Sequence, residues 1–122
     1  MILADTSVWI DHLRSGDERL TRLLEAGHIL MHPFVLGELA LGNLRDRRNV
    51  LNLLEDLPRS ATATDDEILI FIEAETLQGN GIGLIDVHLL AATKLTSGAR
   101  LWTRDKRLGH AAARLNVSAG AN

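Results

Sequence analysis

The sequence predicts a parallel α/β sheet with helices on both faces, and three observations carry that prediction. The strand candidates Met1 to Ala4, His28 to His32 and Ala99 to Thr103 are short and mostly apolar, without the polar–apolar alternation of a half-solvated sheet. Helical patterns separate them, as parallel strands require. No repeat, low-complexity segment or linker divides the chain, so residues 1–122 are expected to fold as one domain.

Met1-Ile-Leu-Ala reads as a buried strand whose exit carries Asp5, Thr6 and Ser7, side chains suited to capping a helix. Val8, Trp9, Ile10 and Leu13 continue as a short helix closed near Gly16, and Leu20, Leu23 and Leu24 mark a second that Gly27 ends. His28 to His32 is the next strand, and Pro33 suits the first turn of the helix that holds Glu38. Val50, Leu51, Leu53, Leu54 and Leu57 form another helix that Pro58 terminates. Thr64-Asp-Asp-Glu67 has the form of a capping box, so Ile68 to Leu77 is read as helix despite its strand-like Ile-Leu-Ile-Phe-Ile run. After a glycine-rich turn, Gln78 to Gly83, a helix opens at Asp86 and stops at Gly98. Ala99 to Thr103 then forms a strand that leads to Asp105, and a last helix covers about Arg107 to Leu115. The tail, Asn116 to Asn122, is expected to fray or to add an edge strand.

Composition excludes several classes. The chain has no cysteine, and its first apolar run reaches Asp5 after four residues, which predicts no signal peptide and a reducing cytoplasm. Its longest uninterrupted apolar run, Ile68 to Ile72, is far short of a membrane span, so no membrane partner is expected. A net charge of −3, with two Trp and two Phe as the only aromatics, makes no global nucleic-acid surface, so any nucleic acid must be held locally.

Most of the 16 acidic residues sit on solvated helix faces. Four read differently. Asp5 and Asp105 close apolar strands, where α/β sheets bind ligands. Glu38 and Asp86 have mainly apolar helical neighbours, Phe34, Val35 and Leu41 for one and Ile82, Leu89 and Leu90 for the other. A charge on such a face is costly unless paired or bound to a cation. Taken singly, Asp5 and Asp86 pass as helix caps and Asp105 as a turn former, while Glu38 is neither. The signal is collective. An all-oxygen set without a His or Cys cluster suits Mg²⁺ or Mn²⁺ and not zinc. His28 and His32 are taken as strand residues, not ligands, and core packing is the preferred use of Trp9 and Trp102 over base stacking.

Four segments in this order and spacing, M-I-L-A-D-T-S-V-W-I-D, G-E-L-A-L-G, L-I-D-V-H-L-L-A-A-T and L-W-T-R-D-K-R-L, cover nearly the whole chain and resemble PIN-domain proteins, specifically VapC-type toxins of toxin–antitoxin pairs. The resemblance implies a PIN-like fold with a central parallel sheet of about four to five strands. It implies a metal-dependent ribonuclease, with Asp5, Glu38, Asp86 and Asp105 as catalytic metal site and Thr6, Ser7 and Thr103 as supporting hydroxyls. It also implies an RNA substrate, a cognate antitoxin as partner and a homodimer. Some family members carry a further acid where this chain has Arg107, which leaves one or two metal ions open. Arg104, Lys106 and Arg107, and also Arg45, Arg47 and Arg48, are candidates for gripping flanking RNA phosphates, against the ordinary reading of such clusters as solvated surface. Two other classes compete: a receiver-like phosphoacceptor, for which Asp5 lacks the usual second acid beside it, and a catalytically idle PIN fold kept for binding.

Overall fold

The computed structural model describes residues 1–120, so the last two positions of the tail lie outside the described residues. The elements run β1 (Ile2–Ala4), α1 (Thr6–Ser15), α2 (Glu18–Glu25), β2 (Ile29–Leu30), α3 (Pro33–Ala40), α4 (Arg47–Glu55), α5 (Asp65–Glu75), α6 (Leu84–Leu95), β3 (Arg100–Trp102) and α7 (Lys106–Arg114). Strand β1 lies in the centre and pairs in parallel with β2, Leu3 opposite Leu30, and with β3, Leu3 opposite Leu101. From β1 the chain goes to one side for β2 and to the other for β3. The strand order therefore reverses at β1, and the crevice beyond its carboxyl end is the natural ligand site of such a sheet.

The expected four to five strands resolve, among the described residues, into three strands with one isolated bridge on each side, Met31 with Arg59 and Leu101 with Ser118. The outer segments cannot propagate a ladder. Pro58 offers Met31 only its carbonyl, and two residues past Arg59 the N–H of Ala61 turns to the hydroxyl of Thr96. On the other side the tail makes its edge pairing at Leu101 after Asn116 turns the chain at φ 61°.

Other boundaries shift for local reasons. His32, expected in a strand, instead caps α3, its Nδ1 accepting the N–H of Phe34 at 3.0 Å, so β2 is only Ile29–Leu30. Helix α6 starts at Leu84 behind Gly83, which places Asp86 inside the first turn and not at the cap. The capping box is formed in full: Thr64 Oγ1 accepts the N–H of Glu67 at 3.1 Å, and Glu67 accepts the N–H of Thr64 at 2.8 Å. It commits the Ile-Leu-Ile-Phe-Ile run to α5, of which only Ile68 is buried while Leu69 and Ile70 stand 65% and 69% exposed. Thr64→Ala is expected to cost about 1 kcal/mol, read as a lower urea midpoint at unchanged slope. An unchanged midpoint would mean that tertiary packing alone fixes α5.

The core gathers Leu3, Leu20, Leu90, Leu101 and Leu108 with both tryptophans. Trp9 and Trp102 are 2% and 0% exposed, so packing is indeed their role. The guanidinium of Arg19 lies 4.5 Å over the Trp102 ring, which closes the core under α2.

Candidate active site

The site is assembled from helix starts. Asp5 leaves β1 in an extended conformation and caps α1, accepting the N–H of Val8 at 3.3 Å. It is only 5% exposed, and a buried carboxylate needs donors on both oxygens. The hydroxyl of Ser7 supplies one to Oδ1 and that of Thr103 another to Oδ2. Thr103 is thereby shared, since its oxygen also accepts the N–H of Asp105 at 3.0 Å. Asp105 in turn caps α7 through the N–H of Leu108 at 3.0 Å. One hydroxyl therefore joins the exits of β1 and β3.

Thr6, beside Asp5, donates to Oε1 of Glu38 at 2.6 Å and brings α3 to the same place. Glu38 is exposed, so the apolar surroundings inferred from its helical neighbours do not enclose it, and Thr6 donates to it. Asp86 completes the group from the first turn of α6, half-buried. Burial pushes its carboxyl above the ordinary range, the N–H of Gly83 opposes this, and the negative charges of Asp105, Asp5 and Glu38 push it further up. The charges of the other three acids are thus felt at Asp86. The positive ends of α1, α6 and α7 partly offset their repulsion.

The donor set tests which cation fits. It consists of carboxylate and hydroxyl oxygens, and among the described residues no three His, Asp or Glu side chains draw close enough to cage an ion alone. That arrangement suits a hard cation held through one or two carboxylates with water and phosphate oxygens filling its shell, and it does not suit a closed tetrahedral zinc site. His28 and His32 stay outside the group. Desolvation first, and then the charges of His88 and Arg59, lower the His32 pKa to about 4, so this buried ring is neutral.

The basic candidates divide. Arg104 is turned inward. Its guanidinium bonds Asp11 and, at 2.7 Å, Asp17, and it lies 5.9 Å over the Trp102 ring. The N–H of Leu20 and, against burial, Arg104 hold the Asp17 carboxyl below its usual range. Two carboxylates already neutralise Arg104, which redirects the phosphate-contact reading to Lys106 and Arg107 on the exposed start of α7. Arg107 rests on the glycine-rich turn: a Cβ on Gly81, whose φ is +75°, would lie 2.8 Å from Nη1. Of the other arginines, Arg47 caps the end of α3 through the carbonyls of Ala40 and Gly42 at 2.6 and 3.1 Å, while Arg45 and Arg14 line a groove that Glu38 also lines. Asp11 and Asp17 escaped the sequence reading because their links to Arg104 span 93 and 87 residues. The only local signal was Asp17 as a helix cap.

The PIN domain family profile matches residues 2–114, which include all four acids. The chain is 48% identical over 118 residues to Ribonuclease VapC32 of Mycobacterium tuberculosis strain CDC 1551 / Oshkosh, covering 97% of this chain and 95% of that protein. The protein of the same name from strain ATCC 25618 / H37Rv matches with the same identity and coverage. Acids presented at the carboxyl ends of β1 and β3, a profile that spans the sheet and relatives similar end to end agree: the chain belongs to the PIN domain family, in its VapC type.

Proposed function

We propose that this protein is a Mg²⁺- or Mn²⁺-dependent ribonuclease and the toxin of a toxin–antitoxin pair. The observation that carries the reading is the hydroxyl network that joins Asp5 to Asp105 through Thr103 and holds Glu38 on Thr6 beside them, in a chain so similar to proteins named Ribonuclease VapC32. A divalent cation bound there would polarise a phosphoryl oxygen and activate water for phosphodiester hydrolysis. Asp5, fixed on both oxygens by hydroxyls, and Asp86, whose carboxyl is pushed up first by burial and then by its acidic neighbours, are the first candidates to hold it, with Glu38 and Asp105 flanking. Lys106 and Arg107 present positive charge beside Asp105 to neighbouring phosphates, which lets a chain of net charge −3 hold a polyanion.

The partners follow the same reading. A small antitoxin that covers the acidic crevice is the expected inhibitor. Leu69, Ile70 and Leu84, all more than 60% exposed on the packed pair α5 and α6, offer a second copy an apolar face. No helix among the described residues is long and apolar enough to cross a membrane. A receiver-like phosphoacceptor is disfavoured because Asp5 stands without an adjacent acid and the chain beyond β2 runs into a buried capping histidine, His32.

The deciding experiment incubates purified protein with total cellular RNA in Mg²⁺, in Mn²⁺ and in EDTA. Endonucleolytic cleavage in metal and none in EDTA is the expected result, accompanied by growth arrest when the protein is expressed alone. Equal cutting with and without chelator would remove the metal site. No cutting under any condition, with intact RNA binding, would favour the idle binding module.

A further inference from the structure

Arg104 is out of place for a surface arginine beside an acidic crevice. Its side chain is 26% exposed, and its charge is spent on Asp11 of α1 and on Asp17, the cap of α2. Its backbone N–H donates to Ser7 Oγ at 3.1 Å, the hydroxyl that in turn donates to Asp5. The neighbours on either side face the site: Thr103 donates to Asp5, and Asp105 takes its place through its N–H on Thr103. Segment 103–105 is thus tied down at three points: two short hydroxyl links at the start of α1, and one long guanidinium link to Asp11 in the middle of α1 and to Asp17 beyond it. The guanidinium is the only one of the three that reaches across to α2 and also covers the Trp102 ring.

We infer that the Asp11–Arg104–Asp17 bridge is the positioning device of the site, clamping segment 103–105 to the middle of α1 and the cap of α2 so that Asp105 and Asp5 face one crevice. The inference rests on the proposed reading of the acids as a metal site. Arginine suits the task because a planar fork engages two carboxylates in fixed directions, which the single ammonium of a lysine does not reproduce. Supporting contacts of this kind typically govern metal affinity or activity by 10- to 100-fold.

The test compares the full chain with Arg104→Met, Arg104→Lys and Asp17→Asn, the last retaining the helix cap should Arg104→Met not fold. Expected for Arg104→Met is a kcat lower by about 10- to 100-fold with KM for RNA changed by less than about threefold, and Mn²⁺ affinity in direct titration weaker by about tenfold. Arg104→Lys and Asp17→Asn should recover only part of the loss. Full recovery in Arg104→Lys would show that charge alone suffices and overturn the clamp. A raised KM with unchanged kcat, and a salt dependence shallower by about one phosphate contact, would make Arg104 an RNA ligand instead. A lower melting temperature with parental Mn²⁺ affinity would make the bridge purely structural. The Mn²⁺ titration keeps the two readings apart: a parent that binds Mn²⁺ without cleaving RNA refutes the substrate while leaving the clamp testable, and a parent that binds no Mn²⁺ refutes both.

Discussion

Asp5→Asn is expected to lower RNA cleavage by on the order of 10³-fold or more while leaving the melting temperature within a few degrees of the parent. The two effects separate because Asp5 has two duties. As the cap of α1 it needs one oxygen to accept the N–H of Val8, and asparagine caps as well as aspartate. The hydroxyl of Ser7 can still donate to the amide oxygen, and that of Thr103 can turn to accept one amide N–H, which keeps the loss of stability small. What asparagine cannot supply is the negative charge at the exit of the central strand, where a cation and the phosphate it carries would be held. Asp5→Ala is the contrast: it removes the cap as well and should cost a further 1–2 kcal/mol of stability. Cleavage assays at matched folded concentration check it. An Asp5→Asn protein that cuts RNA within tenfold of the parent would reduce Asp5 to a helix cap.

The same duality explains how far the sequence could be read. Local signals were legible because their physics is local: the capping box at Thr64 and Glu67, proline at the start of α3, and apolar runs that place β1 and β3 inside. The four acids were legible as a set because three stand at or near helix starts that follow sheet exits or the glycine-rich turn, and the fourth sat oddly among apolar neighbours. Contacts remote in sequence were not legible. Nothing in Asp11 or Asp17 announces Arg104, and nothing in Thr6 announces its bond to Glu38, because side chains far apart in sequence meet only once the sheet order is known. The strand count erred for a related reason. Whether an edge segment extends into a ladder depends on where its next N–H goes, and Ala61 chose the hydroxyl of Thr96.

The melting behaviour of Asp86→Asn is the second large effect, and its sign follows from the position of the carboxyl. Burial first, and then the charges of Asp105, Asp5 and Glu38, raise the folded-state pKa of Asp86 above the unfolded value, with the N–H of Gly83 opposing. As pH climbs from the ordinary carboxylate range, the unfolded chain releases this proton before the folded one does. The stability that Asp86 contributes is therefore complete below the unfolded pKa and is lost as pH rises through the folded pKa, so the chelated protein carries the penalty at pH 7. Asparagine removes the charge, keeps a carbonyl to accept from Gly83, and should raise the melting temperature in EDTA by a few degrees at pH 7, the range of a single stabilising substitution. Below about pH 4 the two proteins should melt together. Metal should act in place of the mutation: at 100 times its dissociation constant one bound ion adds about 2.7 kcal/mol to the parent, and the variant, short of a ligand, gains clearly less. Cleavage falls in Asp86→Asn even as the chelated fold is strengthened. Four melting curves, each protein in EDTA and in Mg²⁺, decide the matter, and a variant that melts below the parent in EDTA would show that Asp86 serves Gly83 and the first turn of α6 and not a group of repelling acids.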